Sequence, residues 1–77
     1  MSARIPASAW ELTTGLNPGG PYIVASIATD KGWLVSTPIN YDEDTEGSSE
    51  RAIRAAKQAC REWMASFGAK WTGKPVR

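Results

Sequence analysis

The stretch Tyr22-Ile23-Val24-Ala25-Ser26-Ile27-Ala28-Thr29-Asp30-Lys31-Gly32-Trp33-Leu34-Val35-Ser36-Thr37 decides the fold. Both halves are rich in β-branched and apolar residues, and Asp30-Lys31-Gly32 separates them, so the segment reads as a β-hairpin. A three-residue loop with Gly last suits a type I turn closed by a bulge, Gly32 supplying the left-handed position. That loop length predicts a register: Thr29 opposite Trp33, Ile27 opposite Val35, Ala25 opposite Thr37, and Ile23 near Ile39. Cross-strand neighbours share a face. Ile23, Ala25, Ile27, Trp33, Val35 and Ile39 then face the core, while Tyr22, Val24, Ser26, Ala28, Leu34 and Ser36 face the other way. A slip of one residue would invert every assignment. Pro38 ends the third strand or marks it as an edge.

Working outward, Trp10 to Thr14 alternates large apolar with polar residues and predicts a short first strand. Met1 to Ala9, with Pro6 and several small residues, reads as a loose arm. Gly15 to Pro21 holds Asn17-Pro18-Gly19-Gly20-Pro21 and reads as a loop. Downstream, Tyr41 to Gly47 is an acidic loop, and Ser48 or Ser49 is placed to cap a helix with Glu50 in its first turn. From Glu50 to Phe67 there is no Gly or Pro, and Ile53, Ala56, Cys60, Trp63, Met64 and Phe67 fall within about 100° of arc. Gly68 is the expected C-terminal stop. In the basic tail Trp71 either docks on the core or begins a short fourth strand. The expected architecture is α+β: a three-stranded antiparallel sheet packed on one long C-terminal helix, in β-β-β-α order. It forms one domain over residues 1–77, with an arm (1–9), sheet (10–41), helix (48–67) and tail (68–77).

Composition narrows the chemistry. The chain has 77 residues, no His and one Cys, which removes most zinc sites, Ser-His-Asp and Cys-His catalysis, and any disulfide within the chain. Neither a secretory h-region nor a membrane-length apolar run is present, and a lone cysteine fits a reducing compartment, so a cytoplasmic location is expected. The net charge of +1 hides a division. Met1 to Gly47 has two Lys and Arg against six Asp and Glu, giving −4, and Ser48 to Arg77 has seven against two, giving +5.

Four features invite a functional reading. Asp42, Glu43, Asp44 and Glu46 are too irregularly spaced for an EF-hand, so no metal is assigned; the loop is either solvated or a protein-binding surface. Arg51, Arg54, Lys57 and Arg61 share a helical face that either meets water or sits on phosphates, joined by Lys70 and Lys74. Gly68 to Pro75 nearly spells a phosphate-binding loop, but Pro75 takes the hydroxyl position and a helix precedes rather than follows. Cys60, amid the apolar arc, reads as a small buried hydrophobe. The outer sheet face, with Tyr22, Val24 and Leu34, has no second helix to cover it, which points to a contact with another molecule.

Three family resemblances follow from these elements. The sheet followed by Ala55-Ala56-Lys57-Gln58-Ala59 resembles the C-terminal part of a double-stranded-RNA-binding domain, without that family's first helix and Lys-rich helix start. The β-β-β-α order resembles the arm-type DNA-binding domains of phage integrases, whose sheets carry the Arg and Lys this outer face lacks. The third resemblance is to small phage anti-CRISPR proteins acting on type I systems. It rests on the Asn17-Pro18-Gly19 loop, Tyr22-x-Val24, the Gly32 hairpin, Val35, an Ala-rich helix with Ala52, Ala56 and Ala59, and Glu62-Trp63. It runs from about Asn17 to Trp63. It implies a phage-encoded stoichiometric inhibitor that binds a CRISPR surveillance complex in the host cytoplasm.

The resulting expectation is a small non-enzymatic inhibitor of a host macromolecular machine, without cofactor or membrane attachment, as a monomer or homodimer. Its partner-binding candidates are Tyr22, Val24, Leu34, Asp42, Glu43, Asp44 and Glu46, the acidic loop matching a basic channel. The alternative is a nucleic-acid-binding module using Arg51, Arg54, Lys57, Arg61, Lys70 and Lys74.

Overall fold

Alternation along the central strand organises the molecule. The structure is a computed structural model and describes residues 5–72. Among these residues four strands, β1 (Trp10–Asn17), β2 (Gly20–Thr29), β3 (Gly32–Val35) and β4 (Ile39–Asn40), precede one helix, α1 (Ser48–Phe67). The sheet is antiparallel in the order β1-β2-β3, and β4 also pairs with β2. Ile23, Ala25 and Ile27 point to the helix and are buried, as their period of two requires. This is the expected α+β, β-β-β-α arrangement. The fourth strand is Ile39–Asn40, however, and among the described residues the tail adds a single bridge, from Trp71 to Thr29. Trp71 also packs against the core.

Two loops are tighter than the sequence predicts. The expected Gly15–Pro21 loop is a two-residue turn, Pro18-Gly19, because β1 runs on to Asn17 and pairs with Gly20. Asn17 closes it: its Oδ1 accepts the Gly19 N–H at 2.8 Å and the Asn40 Nδ2–H at 2.9 Å. Gly15 pairs with Tyr22 inside β1 and leaves room for that ring; a Cβ there would sit 2.5 Å from the Tyr22 hydroxyl oxygen. The second turn is also shorter. Thr29 pairs with Gly32, Ala28 with Trp33 and Ile27 with Leu34, so the loop is Asp30-Lys31 alone. The Thr29 hydroxyl explains this. It accepts the Lys31 N–H at 3.1 Å and donates to the Gly32 carbonyl at 2.6 Å, drawing Gly32 (φ +109°) into the ladder.

The one-residue difference inverts β3. Leu34, expected outside, packs against the core, while Trp33 and Val35, expected inside, are exposed. Yet Ile23 does pair with Ile39. From Ser26 to Ile23 β2 takes three steps; from Val35 to Ile39 the opposite chain takes four. The extra residue is a bulge. Ser36 makes it tolerable, donating its N–H to the Ala25 carbonyl at 2.8 Å and accepting the Ala25 N–H on its hydroxyl oxygen at 2.9 Å. Pro38, which has no N–H to donate, falls where no ladder bond is needed.

The helix lies across the inner face. Its buried residues, Ala52, Ala56, Cys60 and Met64, are four apart. Each step of four advances about 40° around the helix, so the contact line drifts about 120° from Ala52 to Met64. A fixed arc therefore misplaces the end of the helix. Trp63 and Phe67, expected in the core, are left to one side of the line and are exposed. The small side chains let the helix come close, and Cys60 Sγ lies 3.5 Å from the Ala25 carbonyl oxygen. Burial pushes the Cys60 thiol up, against the opposing pull of Arg61. Gly47 occupies the N-cap position without a side-chain cap, in place of Ser48 or Ser49. The Ser48 hydroxyl instead accepts the Asp42 N–H at 2.9 Å. Gly68 stops the helix in the left-handed conformation, and Ala69 returns its N–H to the Met64 carbonyl at 2.8 Å.

Residues 1–4 of the expected arm lie outside the described residues, and the rest of it is packed. Ile5 lies against the core, Ala7–Ala9 form one 3-10 turn, and Ala9 is buried.

Candidate functional site

The drifting contact line and the inverted third strand together bring unused aromatic surface to one flank. Trp33 is 59% exposed, Trp63 53% and Phe67 57%. The Trp63 and Phe67 rings stack at a tilt of 52° with centroids 5.3 Å apart. One groove of about 340 Å³ runs between the β2–β3 turn and the helix end, lined by Thr29, Lys31, Trp33, Leu34, Phe67 and Ala69. A second, of about 290 Å³, is lined by Glu62, Trp63, Ser66 and Phe67. Phe67 is common to both. Trp33 and Val35 continue the surface onto the outer sheet face, which they share with Tyr22 and Val24.

None of these three aromatics was expected at a binding surface. A signal was available: for a helix lying across a sheet, an i, i+4 row of small residues (Ala52, Ala56, Cys60) marks the contact line better than the mean arc does. Among the expected partner-binding residues, Tyr22 and Val24 do lie on the outer face, half-buried. Leu34 does not, since it pairs with Ile27 on the inner face.

The acidic loop is a structured turn. Asp42 accepts the Asp44 N–H at 3.0 Å and the Thr45 hydroxyl at 2.6 Å, and these two bonds, the hydroxyl first, hold its carboxyl below the usual range. Asp42 is thereby committed to the turn. Glu43, Asp44 and Glu46 are exposed. Asp42, Glu43 and Asp44 line an open groove of about 430 Å³ with Gly19, Pro21 and Tyr41. Among the described residues no three carboxylates or thiols gather in a way that could hold a metal ion.

The basic residues occupy the opposite flank of the helix from the aromatics. Lys57 Nζ lies 5.8 Å from the centre of the Trp10 ring and Arg61 Cζ 5.5 Å, within the range of cation–π attraction. These two cations cover Trp10, which is only 7% exposed. Arg51 and Arg54 are exposed on the same face. Lys70 is exposed too, although its backbone N–H is tied to Asp30 Oδ1 at 2.8 Å. Lys74 lies outside the described residues.

No described helix is long and apolar enough to cross a membrane. Compared with known proteins, the chain matches no family model, no curated protein and no solved structure.

Proposed function

We propose that the protein is a small non-enzymatic binder that acts by occupying a surface of a larger assembly, with Trp33, Trp63 and Phe67 as its anchors. The observation that carries this is the clustering of three aromatics, each more than half exposed, around grooves that meet at Phe67. Exposed aromatics beside a concave surface are the residues that dominate binding energies when a partner dries them. Exposed Glu43, Asp44 and Glu46 on the β4–α1 loop supply charge that a basic partner would match.

The specific form of the proposal is an anti-CRISPR protein of phage origin that inhibits a type I surveillance complex, as the sequence resemblance implies. Its test is a plaque assay in a host whose type I system carries a spacer against the infecting phage. Expression of the protein should restore plaques, and Trp33→Ala with Phe67→Ala should abolish the rescue while leaving the fold intact by circular dichroism. Changing Glu43, Asp44 and Glu46 to Gln, Asn and Gln spares the Asp42 turn and tests the acidic loop alone. Absence of rescue by the unaltered protein would reject the anti-CRISPR form. Retained rescue by the aromatic variant would reject the anchors.

A second reading, nucleic-acid binding, draws on the exposure of Arg51, Arg54, Arg61 and Lys70. It predicts duplex affinity that falls steeply with salt. No shift of DNA or RNA at about 50 mM salt would remove it.

A further inference from the structure

The two edges of the sheet are built differently. β3 is four residues long and is followed by the Ser36–Pro38 bulge, two devices that keep an edge from accepting another strand. β1 has neither. It pairs with β2 through eight consecutive residues without a bulge, contains no Pro or Lys, and no strand pairs with its outer edge among the described residues. Leu12 and Leu16 lie on its helix-side face but beyond the cover of the helix, 41% and 79% exposed.

We propose that β1 pairs with β1 of a second copy of this chain, in antiparallel register about a two-fold axis through Thr14. The direction of the backbone groups carries the register. Asn17 and Gly20 close a two-residue turn, which makes them a hydrogen-bonded pair, and bonded pairs alternate along the ladder. Leu16 then faces Pro21 at an unbonded position, which suits a residue with no N–H. By the same alternation the N–H and C=O groups of Leu12, Thr14 and Leu16 point out of the sheet edge. An axis at Thr14 sets Leu12 of each copy against Leu16 of the other, and Thr14 against Thr14. All three pairs are bonded, and each exposed leucine covers its counterpart. The register also keeps the basic flanks apart. Trp10, beneath Lys57 and Arg61, is four residues from the axis, so the two Trp10 positions stand roughly 27 Å apart at the rise of an antiparallel strand. The dimer leaves the Trp33–Phe67 flank open on both copies.

Sedimentation velocity on the full chain tests the pairing. At about 100 µM, where any Kd in the low micromolar range would leave most chains paired, the species should have twice the 8.3 kDa chain mass. Thr14→Pro removes an outward N–H and no bond to β2, and should weaken the dimer at least about tenfold. Leu16→Lys, at a position too exposed to matter for folding, should do the same, whereas Val35→Lys on the other edge should leave the dimer unchanged. The axis is tested by oxidation. Thr14→Cys should cross-link two chains, since bonded partners have Cα atoms about 5.5 Å apart, and Thr13→Cys should not. A monomer at that concentration, or a dimer broken by Val35→Lys and not by Leu16→Lys, would overturn the proposal. Cross-linking through Thr13→Cys in preference to Thr14→Cys would overturn the register.

Discussion

The two flanks of the helix treat tryptophan in opposite ways. On the β1 flank, Trp10 lies under Lys57 and Arg61 and is almost wholly buried. On the β3 flank, Trp33 and Trp63 are more than half exposed. The difference lies in cover. Long cationic stems reach down over Trp10, keeping their charged heads in water; Trp63 has only the Phe67 ring, itself exposed, stacked against it, and Trp33 stays open to water. An aromatic residue in a domain this small belongs to the core only where the chain supplies a lid for it.

The comparison can be broken at several points. The largest effect should come from Trp10→Ala, which empties a buried site and should cost about 3–5 kcal/mol in a urea titration. Trp33→Ala or Phe67→Ala should cost under about 1 kcal/mol each, because roughly half of each side chain already meets water. Equal losses from the two flanks would erase the distinction between them. Next, Lys57→Ala with Arg61→Ala should remove about 1–2 kcal/mol in total and expose Trp10, read as a red shift of its fluorescence.

Two smaller effects depend on pH. Burial raises the Cys60 thiol in the folded chain. That stabilisation is complete below the unfolded thiol value of about 8.5 and is lost as pH rises through the folded one. Cys60→Ala should flatten the alkaline limb of a stability-against-pH curve. For Asp42 the sign reverses. Its folded value is depressed by Thr45 and Asp44, so its contribution is present above about 3.9 and disappears as pH falls through the lower folded value. Asp42→Asn should remove this acid-limb dependence, measured by thermal melts across the window.

What was legible in the sequence was whatever depends on local period. Ile23, Ala25 and Ile27 alternate, and the strand they announce is central and buried on that face. The helix and its stop at Gly68 follow from an uninterrupted run and a glycine. The failures share a cause, since each turned on one non-local or side-chain detail. The Thr29 hydroxyl shortens a turn, and β3 inverts. The helix lies across the sheet, and Trp63 and Phe67 leave the core. Composition carries no trace of either choice. Of the three residues expected on the outer sheet face, Tyr22 and Val24 lie there because β2 keeps its alternation, and Leu34 does not because the turn is shorter.

The bulge at Ser36–Pro38 has a consequence for how this chain can vary. Because one residue is interposed, the rule for which positions must be apolar changes parity within a single stretch: even at Leu34, odd at Ile39. A saturation scan should show apolar demand at 23, 25 and 27 in unbroken alternation, and a phase jump between 34 and 39 on the opposite strand. Deleting Thr37 would force one of those two leucine and isoleucine positions to point into water. Loss or gain of a single residue there would then be far less acceptable to the fold than most substitutions at the same site.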